Sequence, residues 1–142
     1  MRQTITAVLA GAAFALVGAA AFADEHGGDA DKGEKVFKKC RACHMIKNGD
    51  ETIERGGRTG PNLYGVIGRK AGSEEGYNYD EAMKKAGEAG LVWDEEKVAE
   101  YLHDPSAYLQ KYLNDDSVRS KMTFKLKKGN EDVAAYLASV AK

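Results

Sequence analysis

The sequence predicts an all-α fold made of short helices joined by long loops. Apolar residues recur at helical spacing in several segments, and no segment has the alternation of apolar and polar residues that indicates a strand. Residues 45–78 are rich in glycine and have no period. Because so long a loop is uncommon in a compact domain unless it is functional, we expect it to wrap a cofactor that completes the core.

The first predicted helices have modest signals. Val36, Phe37 and Cys40 can share one face of a helix over Asp31 to Arg41. The segment from Tyr79 to Ala89 has the composition of a weaker helix. These two helices would bracket the long glycine-rich loop.

The second half of the chain has clearer helix boundaries. Asp94 can cap a helix that extends to Asp104, and glutamates in its first turn suit the helix dipole. Pro105 ends this helix and can begin the next one. Asn130 is expected to cap a last helix, which is rich in apolar residues. The total is about four or five short helices.

The pentapeptide Cys-Arg-Ala-Cys-His at residues 40–44 predicts covalent attachment of a c-type haem. Cys40 and Cys43 can form two thioethers with the haem vinyl groups, and His44 is then placed to bind the iron on one face. A thioredoxin-type C-x-x-C expects a βαβ context, which the sequence lacks. A zinc site needs about four nitrogen or sulfur ligands, and the two other histidines are not at ligand spacing.

The beginning of the chain predicts export. Arg2 is followed by an apolar stretch, and Ala21-Phe22-Ala23 forms a cleavage signal, so residues 1–23 are interpreted as a cleaved secretory signal peptide. The alternative is a retained membrane anchor, which would make the chain a haem-bearing module of a larger complex. The stretch is short and alanine-rich for a span of ~20 residues. Residues 24–142 then form a single mono-haem domain.

A six-coordinate haem needs a second axial ligand. Met122 is the leading candidate, because it lies in a loop 78 residues beyond His44, far enough for the chain to cross to the other face. Met45 adjoins His44, and Met83 lies in a predicted helix, where filling the core is the ordinary role of methionine. His103 is the rival ligand, in an acidic helix.

A series of motifs extends the argument beyond the haem pentapeptide. In chain order they are Gly28-Asp29-Ala30-Asp31-Lys32-Gly33, Cys40 to His44, Thr59-Gly60-Pro61-Asn62-Leu63-Tyr64-Gly65, Gly68-Arg69-Lys70, Tyr77-Asn78-Tyr79, Trp93, Tyr101-Leu102, Lys121-Met122-Thr123-Phe124 and Asp132-Val133-Ala134-Ala135-Tyr136-Leu137. With these motifs the chain resembles class I cytochromes c over nearly its whole mature length, and most nearly the long-type bacterial cytochromes c2. The resemblance implies the cytochrome c fold wrapped around one covalently attached haem.

The resemblance also implies roles for single residues. It implies Met122 as the sixth iron ligand, together with a Pro61 carbonyl that accepts a hydrogen bond from the His44 ring. Such a bond would orient the imidazole and raise its basicity. The segment from Ser106 to Ser120 looks like the insertion of the long cytochromes c2.

Further positions match the haem surroundings of that family. Arg69, Tyr79 and Trp93 match the positions that hold a haem propionate, and Tyr101 matches a tyrosine beside the axial sulfur. Met83 replaces an asparagine that is common there, which places a second thioether near the haem.

Charge is distributed unevenly along the chain. Residues 32–47 hold six basic side chains and one acidic side chain, residues 119–128 hold five basic ones, and residues 74–104 hold ten acidic ones. Both basic segments flank a predicted iron ligand, so a positive haem edge would steer encounters with an acidic partner. The candidate docking residues are Lys39, Lys121, Lys125 and Lys127. The formal net charge of −1 disfavours nucleic acid as a partner.

The predicted function is that of a soluble, monomeric, periplasmic electron carrier rather than an enzyme. His/Met ligation raises the potential of a haem. A raised potential suits a cytochrome bc1-type complex as the electron donor. By resemblance, the acceptor is a photosynthetic reaction centre or a terminal cytochrome oxidase, so the chain would serve photosynthesis or respiration. The alternative is a peroxidase, which needs an open iron face and a distal acid or base. The sequence offers no distal histidine with a supporting arginine.

Overall fold

Helices make up most of the regular structure in the part of the chain that the computed structural model describes, residues 27–142. The predicted signal peptide lies outside these residues. The helices are α1 (Ala30–Phe37), α2 (Glu81–Glu88), α3 (Glu95–His103), α4 (Pro105–Leu113) and α5 (Asn130–Ser139). The all-α prediction is confirmed, although the first two helices are shorter than expected. No helix within this range is long and apolar enough to cross a bilayer.

The first and last helices cross at a glycine. A Cβ at Gly33 would lie 1.9 Å from the carbonyl oxygen of Asp132, so any side chain there would collide with the α5 backbone. One turn further on, the rings of Phe37 and Tyr136 pack with their centroids 5.6 Å apart. The backbone N–H of Asp29 donates to the Asp132 carboxylate at 2.8 Å. This crossing fixes the position of the end of α1 against α5. It therefore also positions the haem pentapeptide, which follows α1 closely in the chain.

Four of the helices begin with an aspartate cap. In each, a carboxylate oxygen accepts a hydrogen bond from the backbone N–H three residues further on, which satisfies one donor of the first turn. The caps are Asp29, Asp80, Asp94 and Asp104. The predicted role of Asp94 is therefore confirmed, and Pro105 begins α4 as expected.

The predicted cap of the last helix is wrong. Gly129, with φ of 80°, occupies the cap position and Asn130 is already the first helical residue. The Asn130 side-chain amide instead donates to the carbonyl of Ala99 in α3, at 3.0 Å. Tertiary packing of α3 against α5 thus uses the side chain that local sequence logic assigned to the helix end.

A small antiparallel hairpin interrupts the long loop, where no strand was predicted. Strand β1 (Ile46–Asn48) pairs with β2 (Glu51–Glu54) through a tight turn in which Gly49 has φ of 57°. Both strands are short and largely polar, so they lack the alternation of apolar and polar residues that predicts a strand. Residues 55–80 form no helix or paired strand apart from one isolated bridge, between Lys70 and Val92.

Candidate haem site

A cavity of about 470 Å³ lies among the pentapeptide, the long loop and the segment around Met122. Its volume is in the ~300–1,000 Å³ range of small-molecule and cofactor sites. The lining includes each of the predicted haem contacts: Cys40, Cys43, His44, Pro61, Arg69, Tyr79, Trp93, Tyr101 and Met122. The fold therefore gathers residues that lie up to 82 positions apart in sequence, from Cys40 to Met122, around one space.

The pentapeptide is a series of tight turns that continues from α1. The N–H of Cys40 donates to Phe37, and the N–H groups of Cys43 and His44 both donate to the carbonyl of Cys40. Both cysteines are unpaired thiols, Cys40 buried and Cys43 exposed. Burial raises the pKa of the Cys40 thiol to about 11. A thioredoxin-type pair needs a depressed thiol pKa, so the structure opposes that alternative.

His44 is prepared to act as a metal ligand. Its ring is buried, and Nδ1 lies 2.8 Å from the carbonyl oxygen of Pro61, so the structure contains the hydrogen bond expected from the resemblance. Burial lowers the pKa of His44 despite that bond, which keeps the imidazole neutral. With Nδ1–H donating to Pro61, Nε2 retains its lone pair for a metal.

Glycine packs directly against this histidine. A Cβ at Gly60 would lie 2.4 Å from Cε1 of His44, and a Cβ at Gly56 would lie 1.7 Å from the His44 carbonyl oxygen. The N–H of Gly60 also donates to the carbonyl of Cys43 at 2.8 Å. The sequence marks Gly56 as part of a glycine-rich loop and Gly60 as part of a family motif, with no structural role for either. Their role depends on a contact between segments, which no local pattern records.

Arg69 is held within the loop as well as lining the cavity. Its guanidinium pairs with Glu74 and donates to the carbonyls of Asn62 and Tyr64. The hydroxyl of Tyr79 accepts from the backbone N–H of Glu74 at 3.3 Å. Glu74, which the sequence analysis did not single out, thus links Arg69 and Tyr79, two of the three predicted propionate-binding residues, and any propionate bound at this end would share Arg69 with it.

Trp93 and Tyr101 form an aromatic part of the lining, with ring centroids 5.1 Å apart. Burial raises the pKa of Tyr101 well above its ordinary value, so the phenol stays protonated. Its hydroxyl lies 2.9 Å from the hydroxyl of Ser120. Trp93 is tied by its backbone to Arg69 and to Gly68, which joins this wall to the long loop.

Of the sulfur and nitrogen candidates for the second ligand, Met122 and Met83 line the cavity. Met122 is half-buried in a segment without regular structure, whereas Met83 is buried on α2. His103 is exposed at the end of α3 and borders a separate groove with Glu100. The rival histidine thus does not border the cavity that holds the other candidates.

The four predicted docking lysines fall into two pairs. Lys39 and Lys121 line the cavity, and the Lys121 ammonium lies 5.0 Å from the ring centroid of Tyr77. Lys125 forms an ion pair with Asp104 at 2.6 Å, and Lys127 donates to the carbonyl of His103. These last two ammonium groups are thus engaged at the junction of α3 and α4 and do not border the cavity.

The donor set and the cavity fit a covalently attached haem. Two cysteines and a neutral buried imidazole lie on one short segment, a thioether lies elsewhere on the lining, and the walls are mainly apolar. Gly60 leaves the space that the imidazole occupies. The fold and the site together define a small helical protein that carries a c-type haem.

The comparisons with known proteins agree with this class. The Cytochrome c family model matches residues 30–141, and the chain belongs to the cytochrome c family. It is 49% identical to cytochrome c-551 of Roseobacter denitrificans over 142 residues, which covers 99% of this chain and 97% of that protein. It is 52% identical to cytochrome c2 of Rhodobacter capsulatus over 116 residues, which covers 81% and 85% of the two chains.

Solved structures of similar proteins have the same fold. The structure of cytochrome c2 from Rhodobacter capsulatus matches with a TM-score of 0.79 at 52% identity, covering 81% of this chain and all of that one. The structure of cytochrome c2 from Paracoccus denitrificans matches with a TM-score of 0.77 at 50% identity, covering 80% and 97%. The chain is thus a class I bacterial cytochrome of the c2 type, an electron carrier with a covalently bound haem c.

Proposed function

We propose that this protein carries single electrons in the periplasm through one haem, held by thioethers from Cys40 and Cys43 and ligated by His44 and Met122. The observation that carries the proposal is that all four side chains border one cavity. Bound haem supplies an iron that cycles between the ferrous and ferric states. His44 and Met122 would together hold the iron, so a substrate would reach it only by displacing one of these side chains, which favours a carrier over a peroxidase.

The residues of the chain prepare that site for electron exchange. The Pro61 carbonyl orients the His44 imidazole, and the protonated Tyr101 phenol stands next to the Met122 segment through Ser120. The edge of the cavity near Cys43 and Phe124 is open to a partner. Cys43 is exposed, and Phe124, which also borders the cavity, is 42% exposed. Electrons would pass at this edge rather than through the α1–α5 crossing.

The partners follow from charge and from the family resemblance. Lys39 and Lys121 border the cavity, so the docking face of a partner is expected to be acidic. We propose a cytochrome bc1-type complex as donor, and a photosynthetic reaction centre or a cytochrome oxidase as acceptor, with only peripheral contact to these membrane complexes. The carrier itself is expected to be a monomer.

A spectrum and a redox titration of the purified protein test the proposal. His/Met ligation predicts a methionine-to-iron charge-transfer band in the far red of the ferric spectrum, and a midpoint potential well above that of a bis-histidine haem. Pyridine haemochrome analysis should show the signature of two saturated vinyl groups. A high-spin spectrum with rapid peroxide turnover would instead support the peroxidase alternative.

A further inference from the structure

The segment that carries Met122 is held by side chains rather than by regular structure. Three successive backbone N–H groups, those of Ser120, Lys121 and Met122, each donate to a side-chain oxygen. The acceptors are Ser106 at 3.0 Å, Asp80 at 2.8 Å and Ser120 itself at 3.1 Å. The position of Met122 therefore depends on these acceptors, because no helix or strand fixes it.

Asp80 differs from the other two acceptors in charge and in origin. Its carboxylate can form charge-assisted hydrogen bonds, which are stronger than those of a hydroxyl. It comes from the end of the long loop, whereas Ser106 comes from the first turn of α4. Lys121 strengthens the same junction, since its ammonium donates to the carbonyl of Asn78 at 3.0 Å. The segment is thus held by two separate elements, the end of the long loop and the first turn of α4.

Asp80 also serves a second element at the same time. One oxygen accepts from the N–H of Met83 at 2.7 Å and caps α2, while the other accepts from the N–H of Lys121. Asp94 caps α3 in the same way, but its second oxygen pairs with Lys97 of its own helix. Among these two caps, only that of α2 reaches across to the Met122 segment.

We propose that Asp80 is a positioning residue that holds the Met122 segment over the cavity and so sets how readily Met122 leaves the iron. The inference rests on the proposed role of Met122 as axial ligand. Asp80 acts through the backbone of Lys121 and has no direct part in electron exchange. Weakening the bond to Lys121 should favour conformations in which an added ligand replaces Met122, without unfolding the domain.

The substitution Asp80→Asn separates the two roles of this side chain. Asparagine is as good a helix cap as aspartate, so its oxygen can still accept from Met83. Its side-chain NH2 group then faces the backbone N–H of Lys121. Because both groups are donors, no hydrogen bond can form between them. Imidazole titration of the ferric holoprotein, followed by loss of the far-red band, measures the release of Met122. The expected result is an imidazole affinity about three- to tenfold higher than in the wild type, the range that one net hydrogen bond accounts for.

Asp94→Asn is the matched control, since it changes an equivalent cap whose second oxygen stays within its own helix. It should leave the imidazole affinity unchanged while both variants keep a guanidinium unfolding midpoint close to that of the wild type. If Asp80→Asn does not accumulate with haem, Asp80→Ser is the second variant. Serine keeps an oxygen that can cap α2, but its side chain is too short to reach Lys121 as well, so it should also raise the imidazole affinity.

Two results would overturn the inference, and they are distinguishable. If the wild type shows the far-red band but neither Asp80 variant differs from Asp94→Asn in imidazole affinity, Asp80 does not position Met122. If the wild type itself lacks the band, the ligand assignment under the proposed function fails, and the inference about Asp80 fails with it.

Discussion

The two segments that carry the proposed iron ligands are built in different ways. His44 lies in a pentapeptide that continues from α1. Its ring is buried, packs against Gly60 and is hydrogen-bonded to the carbonyl of Pro61. Met122 is half-buried in a segment without helix or strand, and side chains hold its backbone. The histidine segment also carries Cys40 and Cys43, whose proposed thioethers would fix it to the cofactor. Burial and close packing thus hold the histidine side, whereas a few side-chain hydrogen bonds hold the methionine side, and we propose that any exchange of iron ligands takes place on the methionine side.

The largest effect is expected from removing the covalent attachment. Replacing both cysteines, Cys40→Ser with Cys43→Ser, should abolish stable haem retention and with it the native fold, because the haem supplies much of the buried apolar contact in the cavity. Pyridine haemochrome spectra and circular dichroism of the purified variant measure the two losses. A double variant that folds normally without haem would show that the core does not depend on it.

The next effect probes the packing behind the histidine. Gly60→Ala places a methyl group against the His44 ring, and we expect a loss of about 1–3 kcal/mol in the free energy of unfolding, as for other overpacked sites. Guanidinium unfolding measures it. Gly27→Ala is the control, since its Cβ would meet nothing within 4 Å. Equal stability of the two variants would contradict the rigid packing assigned to the histidine side.

Docking charges should distinguish the two pairs of lysines. Lys39→Glu or Lys121→Glu, at the cavity, should slow bimolecular electron transfer with a purified bc1-type complex by roughly three- to tenfold at low salt, since rim charges act mainly on association. Lys125→Glu should have a smaller effect, because that ammonium is already paired with Asp104. Flash or stopped-flow kinetics across a salt series measure both.

The controls for docking are charge reversals on the acidic part of the chain. Glu95→Lys and Glu96→Lys should change the rate least, and the rate of the wild type should fall as ionic strength rises. The midpoint potential should stay nearly constant in these variants except Lys121→Glu, because the Lys121 ammonium also holds the Met122 segment through the carbonyl of Asn78. A bimolecular rate that does not change with ionic strength, or equal effects from the lysine and glutamate reversals, would leave apolar contact as the main docking interaction.

A smaller effect concerns acid stability near the Met122 segment. Hydrogen bonds from Lys125 and from the N–H of Ala107 lower the pKa of Asp104 below its ordinary 3.8. A depressed carboxylate pKa stabilises the fold above 3.8, and this contribution disappears as pH falls through the lower folded value. The stability difference between the wild type and Asp104→Asn should therefore be constant above pH 3.8 and shrink below it. Guanidinium midpoints measured against pH test this, and a difference that grows in acid would refute it.

The sequence predicts the histidine segment better than it predicts the methionine segment. The pentapeptide is contiguous, so its chemistry can be inferred from spacing alone, and helix starts such as Asp94 and Pro105 have local signals. The links that hold Met122 have no such signal, because Asp80 and Lys121 are 41 residues apart. The hairpin at residues 46–54 escaped prediction because its strands are short and polar.

Some predicted residues took unexpected partners for the same reason. Arg69 was expected at a propionate, and the structure adds Glu74, five residues on, as a fixed partner. Asn130 was assigned to a helix end but reaches α3 instead. In each case the side chain has several chemically acceptable partners, and only the packing of distant segments decides among them.

The central claim is that Met122, rather than Met83, would serve together with His44 as the second protein ligand of the haem iron. The most direct measurement compares Met122→Ala with Met83→Ala by ferric spectrum, midpoint potential and binding of carbon monoxide to the ferrous form. We expect Met122→Ala to lose the far-red band, lower the potential and bind carbon monoxide readily. Met83→Ala should keep the band and exclude carbon monoxide, although loss of a buried methionine costs ~2–5 kcal/mol of stability. The reverse pattern would contradict the assignment.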